Sequence, residues 1–411
     1  MGETYRNPIG SEPAMARAMS PTRRLSLQYV LLFGSTGVSL PFAGLWLSSR
    51  GFSGAEIGVL LAAPMLGRLV TGPLIAVWAD GFRLRRTALA LLGLAAAAGY
   101  GAATLASGLL PVGAAWFVGA TAMASAIPLL DVLTLKLAAK SVLRFSPPRG
   151  FGSAAFVVAN VAMGTLLTRG DPDLVVGWIV AAGVAFAVSA WRLLPPEPVA
   201  EGGPLDRMAR FRGMHDLLRD RAFTLAIVAV GLTQATHAFY YGFSALIWKA
   251  QGLSEGVTGL LWAFAVGVEI AFIWWLEPWR RRAGVGARAL LLIGAAAAVL
   301  RWSLLALSPP LWALWPLQAL HALTFAATYL AGVDLVERLS PPQAHSAAQT
   351  LNSALSSGVL IGLATIASGP LFDAVGPAGY LAMAGLAALG GLISLLLPAQ
   401  PRSPTAASSS R

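Results

Sequence analysis

Apolar stretches of roughly 20 residues, the length a helix needs to cross the hydrocarbon core of a bilayer, recur twelve times along this chain of 411 residues. They occupy about 27–48, 56–79, 87–108, 111–136, 151–168, 173–194, 222–248, 256–276, 287–308, 311–336, 346–369 and 377–397. Such repetition leaves few folds open. No water reaches the oil to satisfy exposed backbone groups, so each span must close its own hydrogen bonds as a helix. A transmembrane barrel would need short alternating segments instead, and the sequence has none. Only 11% of residues are charged, where a soluble domain carries about a quarter. The expected fold class is an all-α membrane protein of twelve transmembrane helices.

Of the 29 Lys and Arg residues, Arg68 and Arg301 fall inside spans, and Arg50, Arg169 and Lys249 fall in odd-numbered connections. The remaining 24 lie in the tails, the even-numbered connections and the span ends that adjoin them. Cytoplasmic segments carry the Lys and Arg excess, so both termini are expected in the cytoplasm, with the chain multi-pass in a bacterial-type inner (plasma) membrane. The same bias accounts for a net charge of +11 without any nucleic-acid partner. Arg6, Arg17, Arg23 and Arg24 precede a first span too long for a signal-peptide core, and no A-x-A-like site follows it, so it is expected to be retained. With no cysteine there are no disulfides. The longest connection, rich in Pro, Gly and Arg, divides the spans six and six. The expected organisation is a cytoplasmic tail (1–26), an N-terminal six-helix bundle (27–194), a cytoplasmic linker (195–221), a C-terminal six-helix bundle (222–397) and a cytoplasmic tail (398–411).

The two halves echo each other. Trp78, Asp80, Arg83 and Arg85 after the second span are matched by Trp275, Glu277, Arg280 and Arg282 after the eighth, at an offset of 197. Gly152-Ser153-Ala154 lines up with Asn352-Ser353-Ala354 at an offset of 200. Inner loops collect Arg in any membrane protein, but two landmarks of different kind at nearly one offset point to a duplicated six-helix unit. Transporters with parallel repeats about an axis along the membrane normal show this pattern.

The loop Asp80 to Arg86 is similar to the acidic-then-basic signature between helices two and three of the major facilitator superfamily, although Gly81 stands where that signature has Arg. A longer resemblance, to the phenylpropionate permease branch of proton symporters, runs almost the whole chain. It is carried by Leu40-Pro41-Phe42, Trp46-Leu47, Ile57-Gly58, Leu60-Leu61-Ala62, Arg68, Leu129-Leu130-Asp131, Arg149, Gly152-Ser153 and Phe156 in the first half. In the second half it rests on His237-Ala238-Phe239-Tyr240-Tyr241, Gln251-Gly252, Gly259, Glu269, Arg301-Trp302, His321 and Thr324-Phe325. The resemblance implies a major-facilitator-type fold of two six-helix bundles, a monomer, and carriage of a small organic solute with protons, 3-phenylpropionate and related aromatic acids being the branch's solutes.

An ionisable group at bilayer depth costs about 2.5–3.5 kcal/mol on insertion scales, so each one marks a paired or hydrated site. Arg68, His237, Glu269, Arg301 and His321 fall near mid-span, and Asp131 nearer the inner surface. Glu269 and Arg301, on adjacent spans, would relieve one another's burial. The expected proton-coupling set is Glu269, Arg301 and His321. It looks like the acid, Arg and His of lactose-permease-type symporters, without the further acid those carry after the tenth-helix His; here Leu323, Thr324, Phe325 and Ala326 follow. A static ion pair would leave the same sequence trace. His237, Tyr240 and Tyr241 share one helical face, which either packs between helices or walls a ring-binding site. The expected substrate-binding set is Arg68, His237, Tyr240, Tyr241, Arg301 and Trp302, with a carboxylate toward Arg68 or Arg301; the alternative for Arg68 is a link between helices of the first half. Asp80, Arg85, Asp131, Arg149 and Glu277 are expected in gating or structural roles near the inner surface, Asp131 meeting a basic group such as Arg149.

No P-loop, H-E-x-x-H or G-x-S-x-G occurs, and the four histidines are dispersed. No metal, cofactor or enzyme activity is expected. The expected partners are a small-molecule solute, protons and the lipid bilayer. The expected function is proton-coupled transport of a small organic solute, foremost an aromatic carboxylate such as 3-phenylpropionate, by alternating access. A sugar or nucleoside symporter of the same fold is the alternative.

Overall fold

The computed structural model describes residues 19–197, 214–341 and 344–398, and every regular element among them apart from isolated turns is helical. The N-terminal half comprises α1 (Pro21–Ser49), α2 (Gly54–Asp80), α3 (Arg85–Leu105), α4 (Leu109–Ala139), α5 (Ser146–Leu167) and α6 (Asp173–Leu193). After a short helix, Met214–Arg219, come α7 (Arg221–Ala250), α8 (Glu255–Arg282), α9 (Ala287–Leu305) and α10 (Leu311–Leu339). Local chemistry sets the starts. Ser20 caps α1 ahead of Pro21, so this helix begins before the apolar run does. Ser53 and Glu56 cap α2 reciprocally, and Ser254 caps α8.

A final helical run, Ala347–Leu395, is 49 residues long. Straight, it would measure about 74 Å, more than twice the hydrocarbon thickness of about 30 Å. It folds back. Ser356 Oγ reaches the carbonyl of Ile227 on α7, while Gly390 packs against Ala229 and Thr233 of the same helix. The reversal lies at Gly376, whose φ of +52° suits a residue without Cβ. The run is therefore two helices, α11 (segments His345–Asn352, Ser353–Leu360 and Ile361–Val375) and α12 (Tyr380–Leu395), which completes twelve spans in two sets of six. The predicted linker 195–221 and the two predicted tails lie largely outside the described residues.

In the first half α1 packs on α5 and α6, and α3 on α4 and α6; in the second, α12 packs on α9 and α7. The halves meet along three crossings: α2 with α11, α5 with α8, and α1 with the second part of α7. Glycines let the backbones approach at each. A Cβ on Gly58 would lie 2.8 Å from the Thr365 carbonyl, and one on Gly164 would lie 3.1 Å from Gly259 Cα. These contacts sit at the end of the bundle opposite the one bearing Arg85, Lys140, Arg280 and Arg281, called here the basic face. Among the described residues, three hydrogen bonds join the halves at that closed end. Asp373 of α11 accepts the N–H groups of Gly54 and Ala55, both at 2.8 Å, and Thr168 Oγ1 accepts the N–H of Gly256 at 3.1 Å. Toward the basic face α2 becomes exposed, from Arg68 through Trp78, and the halves diverge.

Bends differ between halves. Pro41, Pro64, Pro73 and Pro128 interrupt first-half helices. The second half adds three π-helical segments: Phe272–Leu276, Ala322–Ala327 and Ser353–Leu360. Extra residues inserted in this way gather at functional positions in helices. Glu269 lies three residues before the first segment and His321 immediately before the second.

Candidate functional site

Between the halves lies a cavity of about 290 Å³. Its first-half wall is made by α1 (Thr36, Ser39, Leu40, Ala43), α2 (Leu61, Pro64, Met65, Arg68), α3 (Tyr100) and α4 (Trp116 to Ile127); its second-half wall is Ala238, Tyr241, Gly242 and Thr365. At Met65 and Arg68 it adjoins a vestibule of about 500 Å³, which runs past Pro73, Gln349 and Ser353 toward the basic face. Arg68 thus stands on the wall of both spaces and is, among the described residues, the one charged residue lining either of them. Among the described residues it has no ion-pair or hydrogen-bond partner. The Tyr241 hydroxyl, across the cavity, likewise has none. Thr36, Ser39 and Thr365 donate to backbone carbonyls, which leaves their oxygens as acceptors. The rest of the wall is aromatic, thioether and aliphatic.

Behind Tyr241 lies a second polar assembly, inside the C-terminal half. Arg301 has no exposed surface. Its Nη2 donates to Gln318 Oε1 at 2.5 Å, and its Nη1 donates to Thr324 Oγ1 at 3.0 Å and to His321 Nδ1 at 3.1 Å. The guanidinium also sits over the rings of Trp302 and Tyr240, 4.5 and 4.9 Å from their centroids. Gln318 in turn donates to Tyr240 Oη at 3.0 Å. The partners fix both histidine tautomers. Arginine is only a donor, so His321 Nδ1 accepts and its N–H is at Nε2, which faces Glu269 Oε2 at 3.5 Å. The Gln234 carbonyl is only an acceptor, so His237 carries its proton on Nδ1 (3.0 Å) and accepts the Thr324 hydroxyl at Nε2 (3.1 Å). A charge this deep would be costly alone; three neutral acceptors and two ring faces meet it, and His321 links it to the carboxylate of Glu269.

The placements therefore sort the residues singled out from sequence. Arg68 and Tyr241 line the cavity together. His237, Tyr240, Arg301 and Trp302 are fully buried behind it, because aromatic packing turns that face of α7 into the second half: Tyr240 stacks on Trp262 at 4.6 Å, and Trp302 on Tyr380 at 5.7 Å. Glu269, His321 and Arg301 do come together, but His321 stands between the other two rather than beside a direct pair. Asp131 accepts the Tyr29 hydroxyl at 2.6 Å, and Arg149 lies over Phe33, 4.1 Å from the ring centroid, so these two are not in direct contact. Glu277 holds Arg280 (2.6 Å) and Arg281 (2.7 Å), both of which also reach Asp334. The Arg85 backbone N–H donates to the Glu197 carbonyl, and Asp80 lies exposed at the end of α2. Sequence reasoning assigned no role to Gln318, Tyr100, Trp116 or Asp373. Gln318 was visible as an amide one turn before His321 in an apolar span. The other three show only once helices distant in sequence are brought side by side.

A model of the MFS_1-like family matches residues 22–382, nearly the whole helical body. The chain belongs to this family. The MFS_1-like protein is 30% identical over 370 residues to the Escherichia coli (strain K12) protein named "Probable 3-phenylpropionic acid transporter", covering 89% of this chain and 95% of that one. It is 22% identical to "Uncharacterized transporter YwbF" of Bacillus subtilis (strain 168), covering 84% of this chain and 86% of that one. Its fold is shared with the crystal structure of the nucleoside transporter NupG, with a TM-score of 0.76, 17% identity and coverage of 92% and 99%. A bacterial homologue of the lysosomal transporter Spinster, inward-facing and unoccupied, gives 0.73, 16%, and 94% and 98%. This MFS_1-like chain is thus a multi-pass membrane transporter of small solutes, and its family and relatives are transporters rather than enzymes.

Proposed function

We propose that this MFS_1-like transporter carries a small aromatic carboxylate together with a proton, by alternating access, with its basic face in the cytoplasm. One observation carries the reading: among the described residues, the two joined spaces between the halves are lined by a single charged residue, Arg68, whose guanidinium has no partner. A cation presented to an apolar, aromatic-walled cavity calls for an anion with an apolar body, and guanidinium matches carboxylate geometry. The name of the Escherichia coli relative agrees with that class. The Lys and Arg bias of the connections supports the orientation, and closure at Gly58, Gly164 and Asp373 with an open vestibule at Arg68 then corresponds to a state open to the cytoplasm.

Glu269 supplies the coupling. While it is ionised, the positive charge of Arg301 is answered through His321. Once Glu269 takes a proton, the C-terminal half holds an unanswered positive charge behind Tyr241, and an anion in the cavity answers it. For unit charges about 10 Å apart at an effective dielectric near 20, the attraction is about 1.7 kcal/mol, enough for more than tenfold linkage between proton and anion. Linkage of this kind is reciprocal, so each ligand favours the binding of the other.

A binding screen on purified protein tests the cargo class, because ligands of the folded state raise its melting temperature. 3-Phenylpropionate should stabilise the wild type, while uridine and lactose should not, and Arg68→Gln should abolish the effect. Stabilisation by uridine or lactose without any by the acid would replace this reading with a sugar or nucleoside carrier.

A further inference from the structure

The closed end of the cavity holds two hydrogen-bonding groups that the anion site does not use. Tyr100 of α3 and Trp116 of α4 are only 4% and 3% exposed, yet both line the cavity. Their rings are fixed: they meet edge-on at 4.9 Å, and Trp116 also stacks on Trp46 at 5.7 Å. Trp46 donates its indole N–H to Asp173 at 2.7 Å. The Trp116 N–H and the Tyr100 hydroxyl have no such partner among the described residues. Nor are they sealed in. The polar atoms of Trp302 and Tyr380 are enclosed without partners, whereas those of Tyr100 and Trp116 are not fully enclosed, and both residues line the cavity. The other side-chain oxygens on the cavity wall are those of Thr36, Ser39, Tyr241 and Thr365, and none of them bonds to either group among the described residues. Buried polar groups are as a rule hydrogen-bonded, so two of them without a protein partner at the end of an apolar cavity mark a place where a bound molecule can supply one.

Depth adds a second, independent constraint. Arg68 lies fourteen residues beyond Gly54, about 21 Å from the closed end at 1.5 Å per residue. Tyr100 and Trp116 lie five and seven residues from the same end, about 8 and 10 Å. The donors therefore stand across the apolar body of the cavity from the guanidinium. A cargo whose carboxylate rests on Arg68 and whose ring points to the closed end brings the remote edge of that ring to them. On the reading that Arg68 binds the carboxylate, we infer that Tyr100 and Trp116 form a subsite for an oxygen substituent on the remote edge of the ring. The cargo class is then a hydroxyaryl carboxylic acid rather than a bare aryl acid. The phenolic oxygen accepts the Trp116 N–H, and the phenol and the Tyr100 hydroxyl share the second hydrogen bond.

Titration calorimetry on the purified full chain tests this with two probes, 3-phenylpropionate and 3-(4-hydroxyphenyl)propionate. Wild type should bind the hydroxylated acid about tenfold more tightly, the scale of satisfying one or two buried donors. Tyr100→Phe, which keeps the ring, should bring the ratio of the two affinities below about twofold. Trp116→Phe should move it in the same direction, with melting temperature as the check on folding. Equal affinities in wild type, or a preference that survives both substitutions, would overturn the subsite and leave the anion site standing. Failure of both acids to bind wild type would instead remove the anion reading on which the subsite rests.

Discussion

Asp373 gives the sharpest handle on the conformational cycle. Its carboxylate, on α11, accepts the N–H groups of Gly54 and Ala55 at the first turn of α2, both at 2.8 Å, so it ties one half to N–H groups that lack an intrahelical partner, at the positive end of a helix in the other. Opening the closed end must break both bonds. A hydrogen bond to a charged group contributes about 1.5–3 kcal/mol, but this carboxylate is exposed and water competes for it. About 1 kcal/mol per bond, with the helix end included, is the reasonable scale. Asp373→Ala should then favour the open state by about 2 kcal/mol, roughly a thirtyfold change in the ratio of the two states. Asp373→Asn keeps one neutral acceptor and should shift it by about fivefold. The chain has no cysteine, so a single Ala43→Cys, buried in the cavity wall near the closed end, reports directly. Labelling by a membrane-impermeant maleimide applied from the closed side should be slow with Asp373 in place, faster by about thirtyfold with Asp373→Ala, and intermediate with Asp373→Asn. Equal rates in variants that melt at the same temperature would refute the latch.

Other expectations follow from the same geometry. Arg68→Lys keeps the charge but not the two-pronged match, so affinity for an aromatic acid should fall about tenfold and not vanish, as measured by calorimetry. Glu269→Gln should still exchange labelled for unlabelled acid across a vesicle membrane while losing accumulation driven by a pH gradient. Retained accumulation would remove Glu269 from coupling. Gln318→Leu deprives Arg301 of an acceptor and Tyr240 of a donor; the cost should be about 2–4 kcal/mol, seen as a lowered melting temperature in detergent. Gly259→Val would collide with the Asn160 carbonyl at the α5–α8 crossing, so it should hold the closed end ajar and raise Ala43→Cys labelling.

The helices were legible because each span is long, apolar and bounded by charge, and the family because an ordered set of short motifs runs along almost the whole chain. Helix ends were less so. α5 starts at Ser146 rather than near residue 151, because the oil sets the apolar length while caps and prolines set the helix length. In the site, the ionisable residues announced themselves by their cost in oil, and Glu269, His321 and Arg301 do gather. Which of them face the cavity was not legible. Tyr240 and Tyr241 are neighbours in sequence, yet one is wholly buried against Trp262 and Gln318 while the other lines the cavity. That choice depends on packing against α8 and α10, which no single-helix pattern encodes. The three π-helical segments carry no sequence signature of their own. Tyr100 and Trp116 carry no sequence signal that sets them apart from other aromatics of apolar spans.

Accumulation of labelled 3-phenylpropionate by proteoliposomes under an imposed pH gradient tests the central claim most directly. Beyond the passive entry seen in protein-free liposomes, the wild type should concentrate the acid on the alkaline side, lose that capacity when an uncoupler collapses the gradient, and show no such excess as Arg68→Gln. Concentration of the acid that persists without the gradient, or that proceeds equally well in Arg68→Gln, would contradict proton-driven carriage on the cavity's lone cation.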